Sequence, residues 1–246
     1  MRYLSIQQLL SIMNNYNLNS YNNQALDSHV SGVMKRVYVK MFLAMIVTAL
    51  AAWACTVIPG IGMFLATHSW VYWGVAILEL VLVFSLSGAI NKMSSSPASL
   101  IFYLYSLLNG VTFALIFMAY TPVSIFKTFA ITAGVFGAMS IYGYFTERDL
   151  TKIGSFLTMA IIGLFIAMIV NLFWANSTLE WIVSIAGVII FVGLTAWDTQ
   201  KIKQWAESGI GATDGRLATI GALTLYLDFI NLFLFLLRFF GASSRD

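Results

Sequence analysis

Residues 217–240 read LATIGALTLYLDFINLFLFLLRFF, an almost unbroken apolar run with Asp228 near its middle. About 20 apolar residues at a rise of about 1.5 Å each span a bilayer core. A carboxylate at the centre of such a span costs on the order of 2.5–3.5 kcal/mol on insertion scales, so something must compensate it. Gly221, Thr224, Asp228, Asn231, Phe235 and Arg238 recur at steps of three and four and form one helical stripe. The other faces are Leu, Ile and Phe. The stripe is expected to face protein or water inside a helix bundle. Two readings stay open: a polar packing seam, or an ion or proton site, the default for an ionisable group in a membrane.

The rest of the chain agrees with a membrane setting. Its 246 residues are 60% hydrophobic and 9% charged, where a soluble domain carries about 25% charged residues. The net charge of +3 is not a nucleic-acid signal, because most Lys and Arg flank apolar runs. Cys55 is the single cysteine, so no intramolecular disulfide or thiolate cluster can form.

Residues 1–34 are polar and rich in asparagine and are expected to form a flexible tail. Seven apolar segments follow, at 37–58, 70–91, 98–120, 123–145, 153–174, 179–200 and 217–240. They are too long and too evenly apolar for barrel strands. The expectation is an all-α membrane domain over 35–241 with seven transmembrane helices and a short C-terminal tail at 242–246. Arg2, Lys35, Arg36 and Lys40 precede the first span, and Lys92, Arg148, Lys152, Lys201, Lys203 and Arg216 lie in the even-numbered connections. The odd-numbered connections have none, so the N-terminus is expected in the cytoplasm and the C-terminus outside. Gly134, Gly137 and Ala138, then Gly163 and Ala167, read as small-residue faces where helices approach closely.

The sixth span ends IIFVGLTAWDTQKIKQW. If its helix continues to about Trp205, Asp198 lies about 10 Å below that end. Lys201 and Lys203 then extend to the interface. Asp228 lies twelve residues beyond Arg216 on the returning helix, so the two carboxylates reach similar depth. Asp198 has its own stripe of Ser184, Gly187, Phe191 and Thr195. Two carboxylates in contact resist being ionised together, so they share a proton or bind a cation. Calcium takes oxygen ligands, and such a pair would hold it weakly. The plain reading of Asp198 is an interfacial residue balancing Lys201 and Lys203.

Glu79 sits mid-span in AILELVLVFSL without a polar stripe. It either lines the same cavity or is satisfied by a local hydrogen bond. Thr224 and Asn231 join the list of pore or latch residues. Glu180 and Arg238 read as an outer pair, Asn109 and Asn171 as interhelical hydrogen-bond partners. Asn176-Ser177-Thr178 matches a glycosylation sequon in a very short loop.

Three stretches carry a resemblance: YGYFTERDLTKIGSFL (142–157), FVGLTAWDTQKIK (191–203) and LYLDFINLFLFLLRFFG (225–241), with the AILE that ends at Glu79. They resemble the Bax inhibitor family, the transmembrane Bax inhibitor motif proteins, in its bacterial branch. The resemblance covers about 35–241 and leaves out the polar tail. It implies seven helices, the last surrounded by the other six, and a pH-sensitive calcium leak channel. It implies that an aspartate pair on the sixth and seventh helices, here Asp198 and Asp228, is the pH sensor. It also implies an arginine latch near the cytoplasmic end of the second helix. This chain reads SGAINKM there, with Ile90 near that place and Lys92 as the nearest substitute. Eukaryotic relatives are linked to suppression of cell death.

The leading expectation is therefore a calcium leak channel of the plasma (inner) membrane, gated by protonation of Asp198 and Asp228, and not an enzyme. No cofactor is expected beyond calcium as the transported ion. The bilayer, calcium and protons are the expected partners, and nucleic acid is not. One alternative is an intramembrane aspartyl protease, which the two aspartates permit but the missing GxGD motif opposes, since Tyr226 and Leu227 precede Asp228. The other is a non-conducting scaffold that regulates stress or cell-death partners.

Overall fold

Long apolar runs broken by Pro59-Gly60, Pro97 and Pro122 fold as separate helices, because in hydrocarbon every backbone amide must be satisfied within its own segment. The computed structural model describes residues 6–89, 93–174, 176–209 and 214–242, with the side chains of residues 6–20, 66, 69, 72, 87 and 89 excepted. Its elements are α1 (Ile6–Val57), α2 (Ile61–Thr67), α3 (Ser69–Ala89), α4 (Ser95–Ala119), α5 (Pro122–Phe145), α6 (Thr151–Trp174), α7 (Ser177–Ser208) and α8 (Asp214–Phe240). No extended strand occurs among the described residues. Six helices, α1 from Tyr21 and α4 to α8, are long and apolar enough to cross a membrane. In α3 the apolar stretch, Trp73–Leu86, is shorter.

The surface is inverted relative to a water-soluble protein. Phe126, Phe145, Phe156, Leu172, Phe173 and Trp174 are all largely exposed. Side chains of this kind are stable on the outside only against lipid. The buried interior instead holds Thr48, Ser106, Asn109, Thr195, Asp198, Thr199, Thr219 and Asp228.

The aspartate-bearing run forms α8, which packs on α7, α1, α5 and α4. Its most apolar stretch is 72% buried, against 17% for α6. Fully buried Tyr226 shows how α8 is held: its hydroxyl lies 2.6 Å from Thr48 Oγ1, which also donates to the Ser106 carbonyl at 2.8 Å. The far end of α8 is tied to α5. Ser124 Oγ donates to the Phe240 carbonyl at 3.0 Å and accepts from Ala242 N at 2.8 Å. Beside it, Thr121 caps α5 by accepting from Ser124 N, with Pro122 in the first turn.

Two expectations are corrected here. The tail read as flexible is helical from Ile6, and its end belongs to the core, with Val30, Val33, Met34 and Val37 buried. The signal was an apolar stripe at i, i+3, i+4 and i+7, diluted by the polar residues between. His29 Nε2 and Arg36 Nη1 then reach Asp214 at 3.7 and 3.4 Å, fixing this extension to the start of α8. The boundary drawn at residue 35 therefore cuts through a continuous helix.

The second correction concerns glycine. A Cβ on Gly134, Gly137 or Gly163 would meet nothing within 4 Å, so helices do not close up there. They close up elsewhere. A Cβ on Gly143 would run into the Ala196 backbone, one on Gly154 into the Trp197 ring, and one on Gly187 into the Phe235 ring. Helix association in lipid depends on such close packing, because lipid leaves little hydrophobic drive between helices.

Candidate functional site

The α7 helix continues to Ser208, ended by Gly209 at φ +59°. Asp198 is thus an interior residue of a long helix. Two glycine contacts aim it. Gly143 lets α5 rest on the backbone at Ala196, and Gly154 lets α6 rest on Trp197. Gln200 completes the clamp, with Oε1 accepting from Leu150 N at 2.9 Å and Nε2 donating to the Arg148 carbonyl at 2.8 Å. The stretches 142–157 and 191–203 are therefore two halves of one packed unit.

At the start of α6, Asp149 accepts from Thr151 N at 2.9 Å. The Thr151 hydroxyl and amide hold this exposed carboxyl below the usual aspartate range.

Asp198 and Asp228 meet within this frame. Their relative exposures are 6% and 4%, and their carboxyl groups lie within hydrogen-bonding reach of each other. No N–H or hydroxyl group donates to the buried Oδ2 of Asp228, although burying an acceptor without a donor is costly. The pair borders a cavity of about 520 Å³ between α6, α7 and α8. Thr158, Lys201, Thr224 and Asn231 line the same cavity, so with the two aspartates six polar side chains border it. Thr224 donates to the Ile220 carbonyl at 3.0 Å, and Asn231 Nδ2 to the Leu227 carbonyl at 2.7 Å. The Asn231 amide nitrogen is thus engaged within its own helix while the side chain borders the cavity.

One wall of the cavity is Lys201. Its Nζ stands 3.7 Å from Asp198 Oδ1, and 4.5 and 4.9 Å from the ring centres of Trp197 and Trp205. The lysine turns toward the carboxylate, the balance that the plain reading of Asp198 expected of it, while Asp198 itself is buried. Lys203 does leave the site: it donates to the Tyr144 carbonyl at 3.1 Å and pairs with Glu207 at 3.8 Å. At the opposite end, Phe235 stacks on Phe191 with ring centres 5.9 Å apart and fills the space above Gly187.

The other sequence expectations are placed elsewhere. Glu79 is not in this cavity; its Oε1 accepts from Thr112 Oγ1 at 2.7 Å between α3 and α4. Arg238 lies over the Phe235 ring, and among the described residues no ion pair joins it to Glu180. Asn171 accepts from Asn176 N at 3.0 Å, closing the turn after its own helix and not bridging to another. Asn176 is engaged as the cap of α7, accepting from Leu179 N. Asn109 bonds Tyr105 one turn earlier in its own helix. Lys92 and Ile90 lie outside the described residues.

Four contributors escaped the sequence reading: Gln200, Trp197, Thr158 and the cavity-facing side of α6.

Residues 30–245 match the family described as "Inhibitor of apoptosis-promoting Bax1". The chain is similar to the inner membrane protein YbhL of Escherichia coli K12, 46% identical over 212 residues, covering 85% of this chain and 90% of that one. It is 44% identical over 215 residues to an uncharacterized protein of Borreliella burgdorferi, covering 87% and 93% of the two chains. It is 41% identical over 226 residues to the uncharacterized protein RP147 of Rickettsia prowazekii, covering 91% and 94%.

Proposed function

The chain belongs to the Bax inhibitor family of membrane proteins, and on that premise we propose that it is a pH-sensitive calcium leak channel gated at Asp198 and Asp228. The observation that carries this reading is the contact of two buried carboxyl groups from adjacent helices inside a cavity. Protons and calcium compete for the same oxygens. Two carboxylates with the Asn231 oxygen, carbonyls and water make a weak site, suited to passing an ion more than to storing it. In this reading α3 is the seventh crossing and α8 the enclosed one. The N-terminus lies in the cytoplasm, and the protein sits in the inner membrane, as the printed name of the Escherichia coli relative suggests for that protein.

Lys201 supplies the closure in this proposal. Its charge balances Asp198 from the same face of α7 and narrows the cavity toward the basic end of the bundle. Protonation of Asp198 removes the charge that holds Lys201 in place, so acidification loosens this wall. The phenyl pair Phe191 and Phe235 forms the apolar constriction at the other end. The test is calcium entry into liposomes bearing the purified chain. Entry above that of protein-free liposomes is expected, and its absence across a pH series would remove the channel reading.

A further inference from the structure

A second feature lies on the opposite side of α8. Helices α1 and α5 both lean on α8 and leave a groove between them. It holds two cavities. One, of about 470 Å³, is walled by Tyr38 on α1 and by Gly137, Ser140 and Tyr144 on α5. The other, of about 240 Å³, lies deeper and is almost wholly apolar, walled by Met45 and Ala49 on α1, Phe129 on α5 and Phe233 on α8. From Tyr38 to Ala49 is about 16 Å at the helical rise. That matches one leaflet of a hydrocarbon core about 30 Å thick. The lining residues Ala49, Phe129, Ile141 and Phe145 are exposed, so the groove opens toward lipid.

The groove has a polar end and an apolar end. Ser140 is 6% exposed, and its Oγ is buried without a hydrogen-bond partner. It lines the larger cavity, where an ester or glycerol oxygen would satisfy it. Two lysines neighbour residues that line this cavity. Lys203 is held at Tyr144, with Nζ 5.1 Å from the ring centre. Lys35 lies on the same helical stripe as Ser31 and Tyr38, four and three residues away. Glu207, exposed and 3.8 Å from Lys203, is a weak competitor.

We infer that the α1–α5 groove binds one anionic phospholipid, its phosphate between Lys35 and Lys203, its ester region at Ser140 and one acyl chain reaching the cavity at Phe129 and Phe233. Gly137 gives the site a clean probe, because a Cβ there would meet nothing within 4 Å. Native mass spectrometry of the full chain, with phosphatidylglycerol and phosphatidylcholine of identical acyl chains, tests it. One phosphatidylglycerol is retained with a preference of about thirtyfold, the order that two lysines near an anionic headgroup supply. Lys35→Gln with Lys203→Gln erases the preference while chain-dependent binding persists. Gly137→Leu, and Ala49→Phe at the far end, weaken both lipids. Equal retention of the two lipids by the unaltered chain would overturn the inference. So would a preference that survives in the double variant, or unchanged retention when the cavity is filled.

Discussion

Lys201 Nζ lies 3.7 Å from Asp198 Oδ1, one helical turn away on α7, while the Asp228 carboxyl approaches the same aspartate from α8. One buried carboxylate therefore faces a cation and a second carboxyl group together. Adding a proton or removing the lysine changes which partner Asp198 keeps.

Lys201→Gln is expected to raise calcium flux at neutral pH and to flatten its rise on acidification. Lys201→Arg retains the charge and most of the pH response. Flux through liposomes at neutral and mildly acidic pH distinguishes these outcomes.

Phe235→Ala removes the ring that stacks on Phe191 and covers Gly187. Flux is expected to increase at every pH with its pH response intact, because the carboxyl pair is untouched. Loss of a buried phenyl ring costs about 3–5 kcal/mol in soluble cores, so the melting temperature falls as well.

The two glycines of α5 should respond in opposite ways. Gly143→Val drives a side chain into the Ala196 backbone and is expected to prevent α5 from docking on α7, read as loss of a single gel-filtration peak. Gly137→Ala meets open space and is expected to stabilise α5 by about 0.5–1 kcal/mol through helix propensity.

This contrast marks what the sequence could reveal. Spans of about 20 apolar residues announce themselves by length, and Asp228 stood out because a charge inside such a span is rare. The depth match with Asp198 followed from counting residues inward from the charged ends. Rotation about each helix axis was hidden. Gly134 and Gly143 look alike in sequence, yet only Gly143 meets a neighbour. Glu79 was as conspicuous as Asp228 but turns toward Thr112. The Val30, Val33 and Met34 stripe was masked by polar neighbours whose side chains point away from the core.

Gln200→Leu deletes both hydrogen bonds that hold residues 148–150. A cost of about 1–3 kcal/mol is expected, since the Leu150 amide is left unsatisfied. Hydrogen exchange at that amide and proteolysis of the connection should both accelerate.

The pH response of calcium flux in Asp198→Asn and Asp228→Asn, each in liposomes beside the unaltered chain, bears most directly on the paired carboxyl groups. Asparagine keeps the shape and removes the titration, so both variants are expected to leak at a rate that no longer changes with pH. A response in both variants equal to that of the unaltered chain would contradict the account.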